Sequence, residues 1–342
     1  MRIRRVLLSL IAAFAAVLSV STVSHANEPE FTLNFGTVAP EGTPWSAQLQ
    51  EIKERIERES NGRIKVKLFL SGSLGSEIEM IQDVSRGERL QGGGFSTGAL
   101  GQALDVPVLQ MVELPYLFRN DAEADAVLDQ VLYQPTSDAL AQRGITFYAW
   151  SENGWRNMAT NGGPASSPEE LQAYKMRSQE SPLHLNMYAA LGVQAVAKPT
   201  SEVLPALNTG IITGFDNTLL FSLAAGWAEP ITHYTLTRHI YQPAGVVYSK
   251  SFIDSLPADL RAIVLANPLE ESTRGRASVR AMEGELLEAL SGMGKTVVEL
   301  TSEQQQVYRR TVRSKVHAAF LTDHPEMQGA YSDVKNQLQS MR

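Results

Sequence analysis

The sequence contains no cysteine in its 342 residues. Disulfide bonds, zinc–thiolate sites and a lipid-attachment cysteine are therefore excluded. The HExxH pattern, the P-loop and a complete dinucleotide-binding fingerprint are absent from the sequence as well. The chain thus lacks the common signatures of zinc proteases, nucleotide hydrolases and dehydrogenases. We expect neither a metal nor a cofactor.

A surplus of basic residues is also lacking, since 30 Lys and Arg stand against 37 Asp and Glu and give a formal net charge of -7. Nucleic-acid binding needs clustered basic side chains, so nucleic acid is not an expected partner. A small anion is compatible with this composition. One buried arginine sets the field inside a cleft, whatever charge the outer surface has.

Long apolar runs are missing except at the amino terminus, where one extends from Val6 to Val20. Arg2, Arg4 and Arg5 precede it, and Ser24-His25-Ala26 follows it as a small-residue cleavage site. A membrane-spanning helix needs about 20 apolar residues, so this pattern predicts an export signal cleaved after about Ala26 and not an anchor. The mature protein is expected in the periplasm as a monomer.

Cleavage removes three arginines and no acid, which takes the formal charge from -7 to -10. The roughly 316 residues that remain exceed the usual size of a single domain and suggest two lobes. No repeat or long linker marks a boundary, so we expect the lobes to be joined by several crossing strands. We assign 27–150 with about 243–280 to lobe I, 151–242 with about 281–300 to lobe II, and 301–342 to carboxyl-terminal helices that pack on the lobes.

The first part of the mature chain has the pattern of a β-α-β-α-β unit. Phe31–Thr37 and Leu90–Phe95 are predicted strands, and Thr43-Pro44 begins a helix. Ser76 and Glu79 form a capping box for the next helix.

Two strands, Ile145–Trp150 and Ala244–Lys250, are predicted to cross between the lobes. The segment Pro257–Leu290 is predicted to be one long helix, broken or kinked at Pro268. Two further helices, at about 302–320 and 326–340, complete the chain.

The segment 167–217 is the most informative part of the sequence because it forms a second β-α-β-α-β pattern. Tyr174–Arg177 and Val193–Ala197 have the character of strands, and helices begin at Ser167 and Ser181. Parallel strands place ligand chemistry at their carboxyl ends. Arg177 lies at such an end, and so does the run Gly214–Asn217.

A guanidinium meets a carboxylate with two parallel hydrogen bonds, which lysine cannot copy. Arg177 is therefore the main candidate for binding an organic acid. The alternative is an ordinary surface arginine, or one that pairs with Glu180. Asn217 is a second candidate, although Gly-Phe-Asp-Asn is commonly a turn.

Several segments occur in an order that resembles one known family, and they run over nearly the whole mature chain. They are Thr37–Trp45, Ser73-Leu74-Gly75 with Glu77, Glu113–Phe118, Asn153–Arg156, Leu171–Arg177, Ala190–Gly192, Ser201–Val203, Ala206–Gly210 and Gly214–Asn217. The chain resembles the solute-binding subunit of tripartite ATP-independent periplasmic (TRAP) transporters, of the dicarboxylate-binding type. It departs from the family pattern in Ala173-Tyr174, where glycine is usual, and in Thr213, where aspartate is usual.

The resemblance implies a two-lobed α/β periplasmic binding protein fold. Each lobe is a mixed sheet flanked by helices, and a long spine helix runs across both. It also implies a protein that captures a small organic acid by a carboxylate–arginine pair and hinge closure, and delivers it to the membrane subunits of a TRAP-type secondary transporter.

The resemblance also assigns ligand contacts. Arg177 and Asn217 hold the carboxylate, and Arg156 matches a second family arginine that reaches the ligand or supports the first. A hinge salt bridge is an equal alternative for Arg156. The family draws further contacts from positions that match the following residues: Glu77, Ser96 and Thr97.

Three tryptophans, Trp45, Trp155 and Trp227, are candidates for an aromatic pocket wall, although large aromatic residues more often fill cores. Two other classes of protein stay open. An ABC-type periplasmic binding protein shares the two-lobed architecture. A serine hydrolase that uses Ser96 would fit the short Gly94–Gly98 match to G-x-S-x-G. We expect a binding protein and not an enzyme.

Overall fold

The computed structural model describes residues 28–342 as a mixed α/β protein. The predicted export signal lies outside these residues. In the described part, no helix is both long enough and apolar enough to cross a membrane.

In residues 28–342, nine strands form one mixed sheet. In chain order they are β1 Phe31–Gly36, β2 Ile64–Phe69, β3 Gly92–Ser96, β4 Ile145–Thr160, β5 Met176–Ser178, β6 Ala195–Ala197, β7 Gly214–Asn217, β8 His233–Ser249 and β9 Thr296–Glu299. The strand order is β2-β1-β3-β8-β4-β7-β5-β6, with β9 on the edge of β8. Parallel pairing joins β2, β1 and β3 in what we call the first half, and β7, β5 and β6 in the second half.

The two longest strands, β4 and β8, are antiparallel and connect the halves. β3 pairs with the end of β8 near Ala244, and β7 pairs with the end of β4 near Asn157. Register shifts after Phe147, Glu152 and Arg156 mark bulges along the pair. Bulges bend a strand and increase its twist, which lets one strand pair serve both halves.

Sixteen α-helices of the described chain surround the sheet. They are α1 Pro44–Glu59, α2 Glu77–Arg86, α3 Thr97–Leu104, α4 Pro107–Met111, α5 Asp121–Val127, α6 Tyr133–Ala141, α7 Pro168–Leu171, α8 Pro182–Leu191, α9 Thr200–Asn208, α10 Leu219–Ala224, α11 Lys250–Ser255, α12 Ala258–Val264, α13 Pro268–Arg280, α14 Glu283–Gly292, α15 Ser302–Asp323 and α16 Gln328–Ser340. A π-helical turn, Leu128–Leu132, joins α5 to α6.

The helix starts follow the caps expected from the sequence. Thr43 caps α1 and Ser76 caps α2, each with a reciprocal capping box that satisfies two otherwise free backbone N–H groups. Gly192 ends α8 with a left-handed φ of 72°, which glycine adopts without the Cβ strain of other residues.

The break predicted at Pro268 within Pro257–Leu290 is confirmed, and the segment contains one further break that the sequence did not predict. Asn267 adopts a left-handed φ of 56° before Pro268, so α12 and α13 are separate helices. A second break at residues 281–282 separates α13 from α14. α13 packs along β4 and α1, while α14 contacts α10 and β9, so the segment still follows both halves of the sheet.

Two further boundaries differ from the prediction. The crossing strands are longer than expected, because β4 continues through Gly154 at a φ of 103° to Thr160. The Gly214–Asn217 run is itself strand β7, fully buried between β4 and β5, and not a turn.

The carboxyl-terminal helices pack on the body of the molecule. α15 contacts α8 and α16 contacts α5. The buried His317 ring on α15 hydrogen-bonds the Pro115 carbonyl oxygen at 2.9 Å. Burial lowers the pKa of His317 to about 4, so its ring is neutral near pH 7.

Candidate functional site

A cavity of about 700 Å³, counting the space open to solvent, lies where the two halves of the sheet meet. We call it the central cavity. Trp45, Glu77 and Ser96 line it from the first half, and Arg177 and Asn217 line it from the second. Strands β4 and β8 form its floor between them, with residues that include Asn153 and Gln242.

Arg177 is the middle residue of β5 and is only 3% exposed. Its Nε and Nη2 atoms donate to the Lys198 carbonyl oxygen at 2.9 and 2.6 Å. The Trp227 ring lies beneath the guanidinium, 5.2 Å from its carbon to the ring centroid. Burial, reinforced by the Arg156 charge, lowers the pKa of Arg177 to about 10. The site thus holds a cation away from water.

Two of the five N–H donors of Arg177 are engaged, which leaves three without a protein acceptor in residues 28–342. The proposed alternative pair with Glu180 is not formed within 4.0 Å. Arg177 therefore has a buried positive charge and free donors at a cavity wall. An arginine in this arrangement can pair with an external anion.

Arg156 on β4 also lines the cavity but is already paired. Its Nε lies 2.6 Å from Asp216 Oδ2, and its Nη2 donates to the Asp216 carbonyl oxygen at 2.6 Å. Nη1 donates to the Gln242 side chain at 2.8 Å and to Asn217 Oδ1 at 3.3 Å. Burial lowers the pKa of Arg156, but the Asp216 charge outweighs it and the pKa is raised.

Asn217 ends β7 beside this pair. Its Oδ1 accepts from the Thr218 backbone N–H at 2.8 Å as well as from Arg156. These two donors fix the amide orientation, because an inverted amide would present N–H groups to them. Nδ2 has no acceptor among the described residues and remains available at the cavity wall.

Asp216 is fully buried under the cavity. Tyr188 donates to its Oδ1 at 2.7 Å, and His239 Nε2 lies 3.3 Å from its Oδ2. Burial raises the pKa of Asp216, but the charge of Arg156 and the His239 hydrogen bond outweigh it and hold the pKa well below the usual range. The carboxylate is ionised, as the neutralisation of Arg156 requires.

Glu113 forms a second buried centre next to the first. His184 Nε2 donates to its Oε2 at 2.7 Å, and Thr97 Oγ1 donates to its Oε1 at 2.6 Å. The side chains of Gln179 and Gln242 each donate at 3.1 Å. Burial raises the pKa of Glu113, yet His184 and Thr97 hold it below its usual value. Gln179 and Gln242 also reach Arg156, which links the two centres.

Glu77 begins α2, and its carboxylate faces the cavity. Its two oxygens accept from the Ser96 backbone N–H at 2.6 Å and from Ser96 Oγ at 3.0 Å. Burial raises the pKa of Glu77 to about 7 against these hydrogen bonds. In the described chain no cation lies within 4.0 Å of it.

The three candidate tryptophans differ in their position relative to the central cavity. Trp45 lines the cavity, donates to the Glu152 carbonyl oxygen, and stacks near Phe221 with ring centroids 6.1 Å apart. Trp227 lies behind Arg177, and Trp155 lies away from the cavity, with its Nε1 on Asp121 at 2.7 Å. Of the predicted contacts, Thr97 is also outside the cavity wall, because its hydroxyl is directed to Glu113.

Cavity residues that the sequence reasoning missed include Gln48, Gln179, Phe221 and Gln242. Gln179 follows the predicted strand end by two residues, so its position was a usable signal. The position of Gln48 depends on the packing of α1 against α13, and the position of Gln242 depends on the length of β8. Neither could be inferred from neighbouring residues in the sequence.

The surroundings of Ser96 do not support the serine hydrolase alternative. Ser96 Oγ is the cap of α3 and donates to Glu77, and no histidine is among its partners in residues 28–342. The same residues contain no group of three or more His, Asp or Glu side chains arranged to hold a metal ion.

A mixed α/β molecule with two halves, joined by paired strands around one polar cavity, has the architecture of a solute-binding protein. The family model of DctP, bacterial extracellular solute-binding protein family 7, matches residues 35–323. The chain therefore belongs to the family 7 bacterial extracellular solute-binding proteins. The resemblance to TRAP solute-binding subunits drawn from the sequence is confirmed, and so is the two-lobed α/β fold.

Individual relatives agree over most of the chain. A solute-binding protein of Verminephrobacter eiseniae is 30% identical over 246 residues, which are 72% of each protein. The C4-dicarboxylate-binding periplasmic protein of Rhodobacter capsulatus is 29% identical and covers 92% of this chain and 93% of its own. A solved TRAP solute-binding protein of Bordetella bronchispeptica, with density assigned to pantoate, has a TM-score of 0.82 at 26% identity, covering 90% of this chain and 99% of that one.

Proposed function

We propose that this protein captures a small organic acid by binding its carboxylate on Arg177, closes around it, and delivers it to the membrane subunits of a TRAP-type transporter. One observation supports this above the others. Arg177 is a buried cation at the cavity wall with three free N–H donors and no carboxylate partner in the described residues. A ligand carboxylate supplies the missing charge.

The other residues of the central cavity have different roles in binding the ligand. Asn217 donates its free Nδ2 to the same carboxylate. Arg156 supports Arg177 from behind, since its own charge is held by Asp216 at 2.6 Å. Glu77, Ser96 and Trp45 meet the rest of the ligand from the first half.

Closure of the two lobes around the ligand is supported by the positions of the cavity residues. Trp45 and Glu77 lie in predicted lobe I, which is 27–150 with about 243–280. Arg177 lies in predicted lobe II, which is 151–242 with about 281–300. Rotation about β4 and β8 brings them together, and loss of water strengthens the ion pair. Trp45 packs on Phe221 at 6.1 Å between ring centroids, so this pair joins the two predicted lobes across the cleft.

The nature of known relatives supports an acid as ligand. The protein of Rhodobacter capsulatus binds C4-dicarboxylates by its name, and the Bordetella bronchispeptica structure has density assigned to pantoate. Transfer of an acid by such a protein needs no catalysis and no cofactor. The protein acts in the periplasm after removal of residues 1–26, as a monomer.

A thermal-shift screen tests the proposal. The protein is unfolded and refolded to remove bound ligand, then heated with a panel of mono- and dicarboxylates and of neutral sugars. At 100 times the dissociation constant a ligand stabilises the fold by about 2.7 kcal/mol, so at least one acid raises the melting temperature by several degrees. A shift with sugars alone contradicts the proposal and favours an ABC-type binding protein.

A further inference from the structure

The charges around the central cavity limit what the far end of a ligand can be. Two cationic side chains line it in the described chain, Arg156 and Arg177. The charge of Arg156 is cancelled by the buried Asp216 carboxylate at 2.6 Å. Arg177 is therefore the one cation of the cavity that has no carboxylate within 4.0 Å in the described chain, which leaves it available for one ligand carboxylate.

Acidic groups surround the space that the rest of a ligand would occupy. Glu77 lines the central cavity, and Glu180 joins Glu77, Arg177 and Ser96 around a smaller recess that adjoins it. Both acids lie near Arg177, and burial raises the pKa of both. A second ligand carboxylate placed here meets like charge and no further cation, so its binding is disfavoured.

The Glu77 carboxylate is oriented to accept hydrogen bonds from a ligand group that carries no negative charge. Ser96 supplies two hydrogen bonds, of 2.6 and 3.0 Å, that fix the carboxylate at the cavity wall. A carboxylate has about four acceptor positions, so two remain for donors that enter the cavity. A ligand hydroxyl is a donor of this kind and brings no charge.

The other polar side chains on this wall are neutral. They include Thr37, Gln48, Ser151 and Asn153. Such groups hydrogen-bond hydroxyls in either direction but do not neutralise an anion.

We propose that Glu77 is a specificity-determining residue that accepts a hydrogen bond from a ligand hydroxyl and rejects ligands with a second carboxylate. The substrate class is thereby a polyhydroxylated monocarboxylate and not a dicarboxylate. This inference rests on the proposed function, in which Arg177 binds the first carboxylate. It differs from that function in what it says of the opposite end of the ligand.

Matched acid pairs test the inference by isothermal titration calorimetry. Each pair differs only in a terminal CH₂OH or carboxylate: D-gluconate with D-glucarate, D-erythronate with meso-tartrate, and glycerate with tartronate. In every pair that binds, the monoacid is expected to bind at least about tenfold more tightly at pH 8. Glu77→Gln is expected to reduce this preference by about tenfold or more, chiefly by improving the diacid.

Two variants keep the result interpretable. Glu79→Gln lies on the same helix, bonds only Ser76, and leaves the preference unchanged. Glu77→Asp keeps the charge and retains the preference, and it serves if Glu77→Gln does not fold. A wild-type protein that binds the diacids as tightly as the monoacids overturns the inference while leaving Arg177 binding intact. No binding by any acid overturns the proposed function and the inference together.

Discussion

The Arg156 Nε atom lies 2.6 Å from Asp216 Oδ2, and both side chains are buried beneath the central cavity. Arg177 lies close enough to this pair for the Arg156 charge to lower its pKa. One arginine is thus neutralised by the protein and the other is left without a carboxylate. Arg156 is thus occupied within the protein, and Arg177 is the arginine that we propose binds the ligand carboxylate.

Asp216→Asn tests the paired arginine. The substitution leaves the Arg156 charge buried without a counter-charge, and breaking a buried pair in this way costs about 3–5 kcal/mol. We expect a loss of this size in the free energy of unfolding of the ligand-free protein, measured by urea denaturation. Asp254→Asn, which breaks the exposed 2.6 Å pair with Lys250, is the control and should cost less than about 1 kcal/mol. Equal losses would argue against a buried ion pair.

Arg177→Lys tests the unpaired arginine. Lysine keeps the charge but loses the planar fork, and a hydrogen bond to a charged group contributes about 1.5–3 kcal/mol, so binding of the acid should weaken by about 10- to 150-fold. The melting temperature without ligand should change little. Calorimetric titration measures the affinity. The matched control is Arg261→Lys, since Arg261 also donates to backbone carbonyls but lies away from the cavity.

Gly98 tests the Glu113 centre. A Cβ atom at this position would lie 2.2 Å from Gln179 Nε2 and 2.8 Å from Glu113 Oε2. Gly98→Ala is therefore expected to displace Gln179, destabilise the fold and weaken ligand binding, despite the helix propensity of alanine. Gly284→Ala on α14 meets nothing within 4 Å and should stabilise the protein by about 0.5–1 kcal/mol. Equal behaviour of the two variants in thermal denaturation would contradict the account of this centre.

The pH dependence of stability in the Glu77→Gln variant tests the electrostatics of the cavity. Burial raises its pKa in the folded state to about 7 from 4.5, so the native protein binds more protons than the unfolded chain between these values. The contribution of Glu77 to stability therefore falls as pH rises through this window. Glu77→Gln removes the loss, so its melting temperature relative to wild type should increase from pH 5 to pH 8.

Glu79→Gln provides a control of opposite sign. Hydrogen bonds from Ser76 lower the pKa of Glu79, so its contribution to stability is present at neutral pH and lost as pH falls. This variant should be less stable than wild type at pH 8 and approach it in acid. A Glu77→Gln curve that follows the same course would mean that burial does not control the Glu77 carboxyl.

Local signals predicted much of this architecture. The caps at Thr43 and Ser76 and the stop at Gly192 depend on a few adjacent residues, and each is found as expected. The break at Pro268 was predicted because proline interrupts a helix. The break at Ala281 and Met282 was not predicted, because neither residue is a glycine or a proline that would mark the end of a helix.

The buried pairs of the site were beyond local reasoning. Arg156 and Asp216 are 60 positions apart, and Glu113 and His184 are 71 apart. Arg156 meets Asp216 only through the pairing of β4 with β7. Glu113, which follows α4, meets His184 only where this segment approaches α8. The sequence therefore indicated Arg177 through its strand, but not which arginine the protein itself would neutralise.

A crystal structure of the refolded protein with its tightest-binding acid tests the central claim most directly. We expect both oxygens of one ligand carboxylate to lie about 2.7–2.9 Å from the Arg177 guanidinium nitrogens. Asp216 should remain on Arg156 in the same structure. A carboxylate bound elsewhere, with Arg177 still directed only to Lys198, would contradict the account.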